Sequence, residues 1–277
     1  MDSMRRLGLL AIAVLLTACA GLLGQGTRQG VSSSLVDYLY PKGEIPPRNE
    51  GAIPQLQLPL AVGLAFVPSA SGSSPLSEAE RMSLLNDVKK SFEGRDFIEE
   101  IAVIPEAYMR SGRGFEAMEQ TARLYGLDVM ALVSYDQVAH TDERTASLLY
   151  WTIVGAYTIK GNKNDVQTFV DTAVFDVATR KLLFRAPGVN EFRSSSTLVD
   201  LERDLRVSQQ KSFGLAMADM TVNLDKELAV FKERIKTDGS VRVTRVPGSG
   251  GGGGGADLLL LAGLALLAAA ARRRIRA

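Results

Sequence analysis

Between residues 56 and 240 the chain switches repeatedly between the two-residue period of strands and the longer period of helices. Residues 58–67 are an apolar run suited to a buried strand. Ser77-Glu78-Ala79-Glu80 has the form of a capping box, in which the serine oxygen accepts from a first-turn amide and the glutamate reaches back to the serine amide. The helix it opens places Met82, Leu85, Val88 and Phe92 on one face. Residues 98–104 predict a second strand. Phe115, Met118, Ala122 and Tyr125 then follow helical spacing up to Gly126, a favoured helix stop, and residues 129–135 predict a third strand. This β-α-β-α-β order predicts helices packed on a sheet.

The second half is less regular. Residues 147–159 form an apolar, strand-favouring stretch that contains Tyr150, Trp151 and Gly155, and its aromatic side chains read as core or hairpin packing. Residues 168–177 alternate more clearly, turn through Ala178-Thr179-Arg180-Lys181 and return at 182–185, which predicts a hairpin. From Leu198 to Ile235 apolar residues recur at helical spacing, with the polar patch Ser208-Gln209-Gln210-Lys211-Ser212 as a candidate break. That stripe either covers the sheet or offers a face to a partner helix. The expected fold class is α/β, with α+β as the alternative, in one domain spanning 56–240. Residues 19–55, with Pro41, Pro46, Pro47 and Pro54 and no sustained period, predict a tether.

The two ends carry the strongest signals. Arg5 and Arg6 precede an apolar stretch at 7–16 and then small residues, the three-part pattern of an export signal. The stretch is shorter than the roughly 20 residues a spanning helix needs. Leu16-Thr17-Ala18-Cys19 resembles a lipobox, so Cys19, the single cysteine of the chain, is the expected lipidation site, with cleavage before it and acylation of the new amino group. In the lipoproteins it resembles, a residue other than Asp after the cysteine, here Ala20, permits transfer to the outer membrane. Several acyl chains, each contributing roughly 0.8 kcal/mol per buried methylene, make such an anchor effectively permanent.

At the other end, Gly250, Gly251, Gly252, Gly253, Gly254 and Gly255 precede an apolar block at 258–271 and a basic end, Arg272-Arg273-Arg274-Ile275-Arg276. Glycine disfavours helix by about 1 kcal/mol per residue, so its backbone is open to a protease cleft. The apolar block is short for a transmembrane helix, but snorkelling arginines and local thinning can close the gap, so residues 258–277 are expected to form a transmembrane tail whose arginines keep its end cytoplasmic. Gly248, Gly250 and Gly253 satisfy G-x-G-x-x-G literally, but no βαβ unit surrounds them and no nucleotide site is assigned. The glycine run, apolar helix and basic end resemble the GlyGly-CTERM sorting signal read by rhombosortase, a rhomboid-like intramembrane protease. Together with the lipobox they resemble the rhombotarget or rhombotail lipoproteins. The resemblance implies lipoprotein-processing enzymes and rhombosortase as partners, cutting within the glycine run, and a palmitate-type membrane anchor. Its implied location is an inner-membrane intermediate and then the outer membrane or cell surface, by way of the periplasm.

Charge and candidate chemistry narrow what the body does. The 32 basic and 31 acidic residues become 26 and 29 once 1–18 and the tail after the glycines are removed, near −3. That balance gives no basis for nucleic-acid binding, which needs clustered cations. His140, Asp142 and Glu143 could ligate a metal, but they fall in a polar stretch that reads as a solvated loop. No metal site, cofactor or catalytic residue is assigned, and no nucleophile elbow accompanies the single histidine. Ser111-Gly112-Arg113-Gly114 before a helix could cradle an anion, although a flexible turn and helix entry is the commoner explanation. The stretches DVMALVSYDQ and FDVATRKLLFRAPG resemble periplasmic α/β modules of the curli-secretion lipoprotein and of the amino-terminal domain of the Tol-system propeller protein. Their hairpin turn reads Asp-x-x-Thr-Gly; here Asp176 and Thr179 match and Arg180 stands in place of the glycine. The expected function is a non-catalytic envelope lipoprotein that binds a partner or self-associates, and the alternative is an exported hydrolase with an unrecognised site.

Overall fold

In the computed structural model, residues 27–43, 52–69, 74, 76–143, 162–196 and 200–245 are described. They run in the order β1 (Thr27–Ser33), α1 (Leu35–Leu39), β2 (Gln55–Leu58), β3 (Leu60–Phe66), α2 (Glu78–Phe92), β4 (Ile98–Ile104), α3 (Glu106–Arg110), α4 (Gly114–Tyr125), β5 (Val129–Glu143), β6 (Asn162–Asp176), β7 (Leu182–Ser196), α5 (Leu201–Asp238) and β8 (Arg242–Arg245). The main sheet has the order β4-β3-β5-β6-β7. β3, β4 and the start of β5 are parallel, and β5, β6 and β7 are antiparallel. β3 pairs with residues 129–133 of β5, and β1 pairs antiparallel with residues 135–141, so β1 continues the column that β3 begins. β2 and β8 form a separate parallel pair. The α/β class expected from the pattern is the class observed.

Strand alternation builds two apolar layers. Leu64 and Phe66 of β3, with Val129, Ala131 and Val133 of β5, face α2 and α5. Ala61 and Ala65 of β3, with Met130 and Leu132 of β5, face α1, α3 and α4. Phe66, Tyr135 and Phe213 meet edge to face, with ring centroids 5.3–6.2 Å apart, and join the sheet to α5. α5 can approach β7 closely because Gly188 lacks a side chain: a Cβ there would lie 2.2 Å from the Ala216 carbonyl oxygen and 2.5 Å from the Met220 amide.

Several boundaries differ from the sequence expectations. The stretch read as tether contains β1 and α1, whose Val31, Tyr38 and Leu39 pack on the sheet. Its few apolar residues are too scattered to show a period, yet they suffice once a sheet edge is present to pair with. β8 likewise lies beyond the expected domain end at 240, where pairing with β2 orders it. β5 runs on to Glu143 instead of ending near Tyr135, so His140 lies on a strand and not in a loop. Its second half alternates between inward Gln137, Ala139 and Thr141 and outward Asp136 and His140, and inward polar residues hide that alternation from a hydrophobicity reading. The patch 208–212 does not split α5, because Ser208, Gln209 and Ser212 turn inward onto the sheet. The capping box forms as expected: the Ser77 hydroxyl accepts from the Glu80 amide at 3.3 Å, and the Glu80 carboxylate accepts from the Ser77 amide at 2.7 Å. On α2 the side chain that joins Leu85, Val88 and Phe92 in being fully buried is Arg81, while Met82 is half-buried.

Candidate functional site

Two stretches that the sequence singled out separately, the loop at 111–114 and the hairpin turn at 176–181, meet in the fold. They form the walls of a groove of about 830 Å³, with Leu39 at the end of α1 and Tyr40 to Lys42 after it as the third side. The turn is built from the β6 end outward: Asp176 is buried, its carboxylate accepts from the Thr179 amide at 2.9 Å and from the Thr179 hydroxyl, and the Asp176 amide donates to the Lys181 carbonyl at 3.0 Å. This turn requires a left-handed residue at its fifth position counted from Asp176, and Arg180 adopts it at φ 59°. A side chain in that conformation costs about 1 kcal/mol relative to glycine. Arg180 is held by an ion pair to Glu119 of α4, and its guanidinium lies 5.9 Å from the Phe115 ring centroid. Phe115 in turn meets Tyr40 at 5.5 Å and Phe175 at 5.8 Å, an aromatic wall that fixes the groove's floor.

The groove is cationic. Lys42, Arg113, Arg180 and Lys181 line it against a single lining carboxylate, Glu116. Lys42, Arg113 and Lys181 form no ion pair among the described residues. Arg113 occupies the N-cap position of α4 and its side chain makes no capping hydrogen bond to the first turn, which lines the groove. Tyr38, beneath Arg113, donates to the Met109 carbonyl at 3.3 Å. Burial pushes its hydroxyl up to about 12 against the opposing charge of Arg113, so it stays neutral and does not offset that charge.

A second titratable cluster sits where the parallel strands end. Arg81 is buried and pairs with Glu106 at 2.9 Å and Glu78 at 2.6 Å, and Arg110 reaches Glu106 at 3.3 Å. Burial raises the Glu106 carboxyl above its ordinary range, with Arg81 and Arg110 opposing. At Glu78 burial also acts upward, but hydrogen bonds from Arg81 and the Glu106 amide and the two arginine charges together lower it. Each carboxylate is consumed by the pairs that tie α2 to α3, so the cluster reads as a structural clasp. The sequence pattern missed it because Arg81 occupies a core position that hydrophobic periodicity assigns to an apolar residue.

His140 is exposed on β5, across from Asp165 of β6 and Arg28 of β1 in register, and it does not face the groove. No group of three His, Cys, Asp or Glu suited to a metal occurs among the described residues. Cys19, the run Gly250 to Gly255, Tyr150, Trp151 and the apolar block after residue 257 lie outside the described residues. Among the described residues no helix is long and apolar enough to cross a membrane.

No family model matches the chain, and no curated protein matches it. Solved structures that it resembles include a PelC dodecamer from Paraburkholderia phytofirmans, 9% identical over 70% of this chain and 99% of that one, with a TM-score of 0.24. A second is protein XCC0632 of Xanthomonas campestris, a DUF330 protein, 13% identical over 67% of this chain and 91% of that one, with a TM-score of 0.31. A third is the hypothetical protein CT253 of Chlamydia trachomatis, 10% identical over 67% of this chain and 96% of that one, with a TM-score of 0.26.

Proposed function

We propose that this protein is an exported lipoprotein, acylated at Cys19 and cut within Gly250 to Gly255 by a rhomboid-like protease, whose folded body is a binding module. The ends supply the processing reading through the lipobox and the glycine, apolar and basic order of the tail. The observation that carries the binding reading is the groove itself: four cations and one carboxylate line it, with His140 on another surface. An exported hydrolase acting there would need a proton-transfer pair within reach of its substrate, and a single exposed carboxylate among cations does not supply one. The lipid at Cys19 would be the sole anchor after the tail is removed, releasing the body for transfer to the outer membrane or cell surface. Intact mass spectrometry of the mature protein tests this directly. The expected mass lacks residues 1–18 and the segment after the glycines and gains a diacylglycerol and an acyl chain; recovery of peptides from 258–272 would replace the sorting reading with a permanent membrane anchor.

Self-association is a second reading favoured by one feature of α5. Its side away from the sheet carries Val207, Leu215 and Val222, which are 55%, 44% and 55% exposed, where an ordinary surface helix is polar. If that face joins two copies, Leu215→Glu lowers the mass seen by sedimentation equilibrium without lowering the melting temperature; an unchanged mass removes this reading.

A further inference from the structure

We propose that the groove between α1, α4 and the β6–β7 turn binds a soluble anion carrying two or more phosphate or carboxylate groups, with Lys42, Arg113 and Lys181 as charge partners and Arg180 as a preset fourth cation. The proposal rests on the binding-module reading above and adds the ligand class.

The density of cations marks this surface, with four of them against one lining carboxylate. Arg81, Arg95, Arg185, Arg193, Arg203 and Arg245 each meet a carboxylate at 2.6–3.5 Å. In the groove, three cations that have no such partner among the described residues are gathered on one concave surface, where neighbouring low-dielectric walls focus their field and favour an incoming anion. Arg180 is fixed by Glu119 and packed over Phe115, so its position is set before a ligand arrives. Arg113 stands at the uncapped start of α4, where the helix dipole adds to its charge.

Size and shape set the valence of the ligand. A space of about 830 Å³ is far larger than one phosphate, and a single small anion would engage one cation and leave the others facing water. An extended ligand with several anionic groups engages them together, and guanidinium groups bind such groups in a bidentate fork. Glu116 lines the groove beside the cations and Glu119 holds Arg180, so a flat anionic membrane surface would meet carboxylates as it approached.

The test is calorimetric titration of the full-length chain in a neutral detergent with sodium triphosphate and, separately, with citrate. Saturable binding that weakens with added salt is expected for at least one of them. Arg113→Gln and Lys181→Gln should each weaken it about tenfold, and Lys42→Gln, at a fully exposed site, should weaken it without altering the melting temperature. Arg180→Gly should weaken binding while leaving the melting temperature the same or higher, because glycine relieves the left-handed position. Lys226→Gln, exposed on α5 away from the groove, should leave binding unchanged. Absence of saturable binding to either anion, an equal loss in Lys226→Gln, or binding confined to phosphatidylglycerol vesicles would each overturn the proposal. Failure here with both terminal processing events intact removes the ligand class and leaves the lipoprotein reading standing; missing processing does the reverse.

Discussion

The main sheet has two halves that solve the same packing problem differently. In the half formed by β3, β4 and residues 129–135 of β5, with the paired parts of β6 and β7, apolar side chains cover both faces. In the half where β1, β5, β6 and β7 run on together, the described residues cover only one face, with the first turns of α5, and the contact is largely polar. Gln137 donates to Thr168 at 2.7 Å and to the Gln209 carbonyl at 3.0 Å, Thr168 meets Ser212 at 2.8 Å, Thr141 donates to Asn164 at 3.1 Å and Asn164 donates to Ser196 at 3.0 Å. The opposite face there exposes Val189 and part of Phe169 to solvent. One half is specified by area removed from water, and the other by a ladder of hydrogen bonds that must all be satisfied together. Polar ladders specify register well but contribute little net energy per bond, about 1 kcal/mol, so the closed half should dominate stability.

The largest effect that sharpens this contrast is Phe213→Ala. Phe213 is fully buried against Phe66 and Tyr135, and its truncation should cost about 3–5 kcal/mol by urea unfolding; a loss under about 1 kcal/mol would show that the aromatic seam does not hold α5 to the sheet. Gly188→Ala comes next, at about 3 kcal/mol, because the added Cβ meets the backbone of α5 at 2.2–2.5 Å and the helix must move off both halves at once. Hydrogen exchange checks the mechanism: amides of β7 and of residues 212–220 should lose protection together.

Gln137→Ala should cost less, about 1–3 kcal/mol, by leaving Thr168 and the Gln209 carbonyl without their donor. If it costs as much as Phe213→Ala, the comparison fails and the open half is the more strongly coupled one. The smallest effect belongs to the capping box. Hydrogen bonds from the Ser77 amide and hydroxyl lower the Glu80 carboxyl below its ordinary value. A lowered carboxyl contributes stability above the ordinary carboxylate range and loses it as pH falls through its folded value. The stability difference between the native protein and Glu80→Gln should therefore be largest near neutral pH and shrink on acidification; a difference that grows as pH falls would show the sign to be wrong.

Local signals were legible in the chain itself. Ser77 with Glu80 announced α2, Gly126 announced the end of α4 in a left-handed residue, residues 98–104 marked β4, and residues 178–181 marked the hairpin turn. Each works over a few residues, through a hydrogen bond or a backbone preference that needs no partner elsewhere. The candidate site was half legible: both walls drew notice, one as a helix entry at Arg113 and one as a departure from glycine at Arg180, but nothing in their spacing joined residues that lie 67 apart. Only the sheet, by setting the β6–β7 turn beside α4, made one cationic groove of them.

The tertiary structure also decided the length of β5, the inward turn of Ser208, Gln209 and Ser212, and the pairing of β1 and β8. These elements are stabilised by contacts made across the chain, and a polar residue paired in a buried ladder has the same composition as one in a solvated loop. Sequence fixes a choice where the energy is local; where the partner is distant, as for Gln137 and the helix α5 that satisfies it, folding decides which reading of the same residues is true.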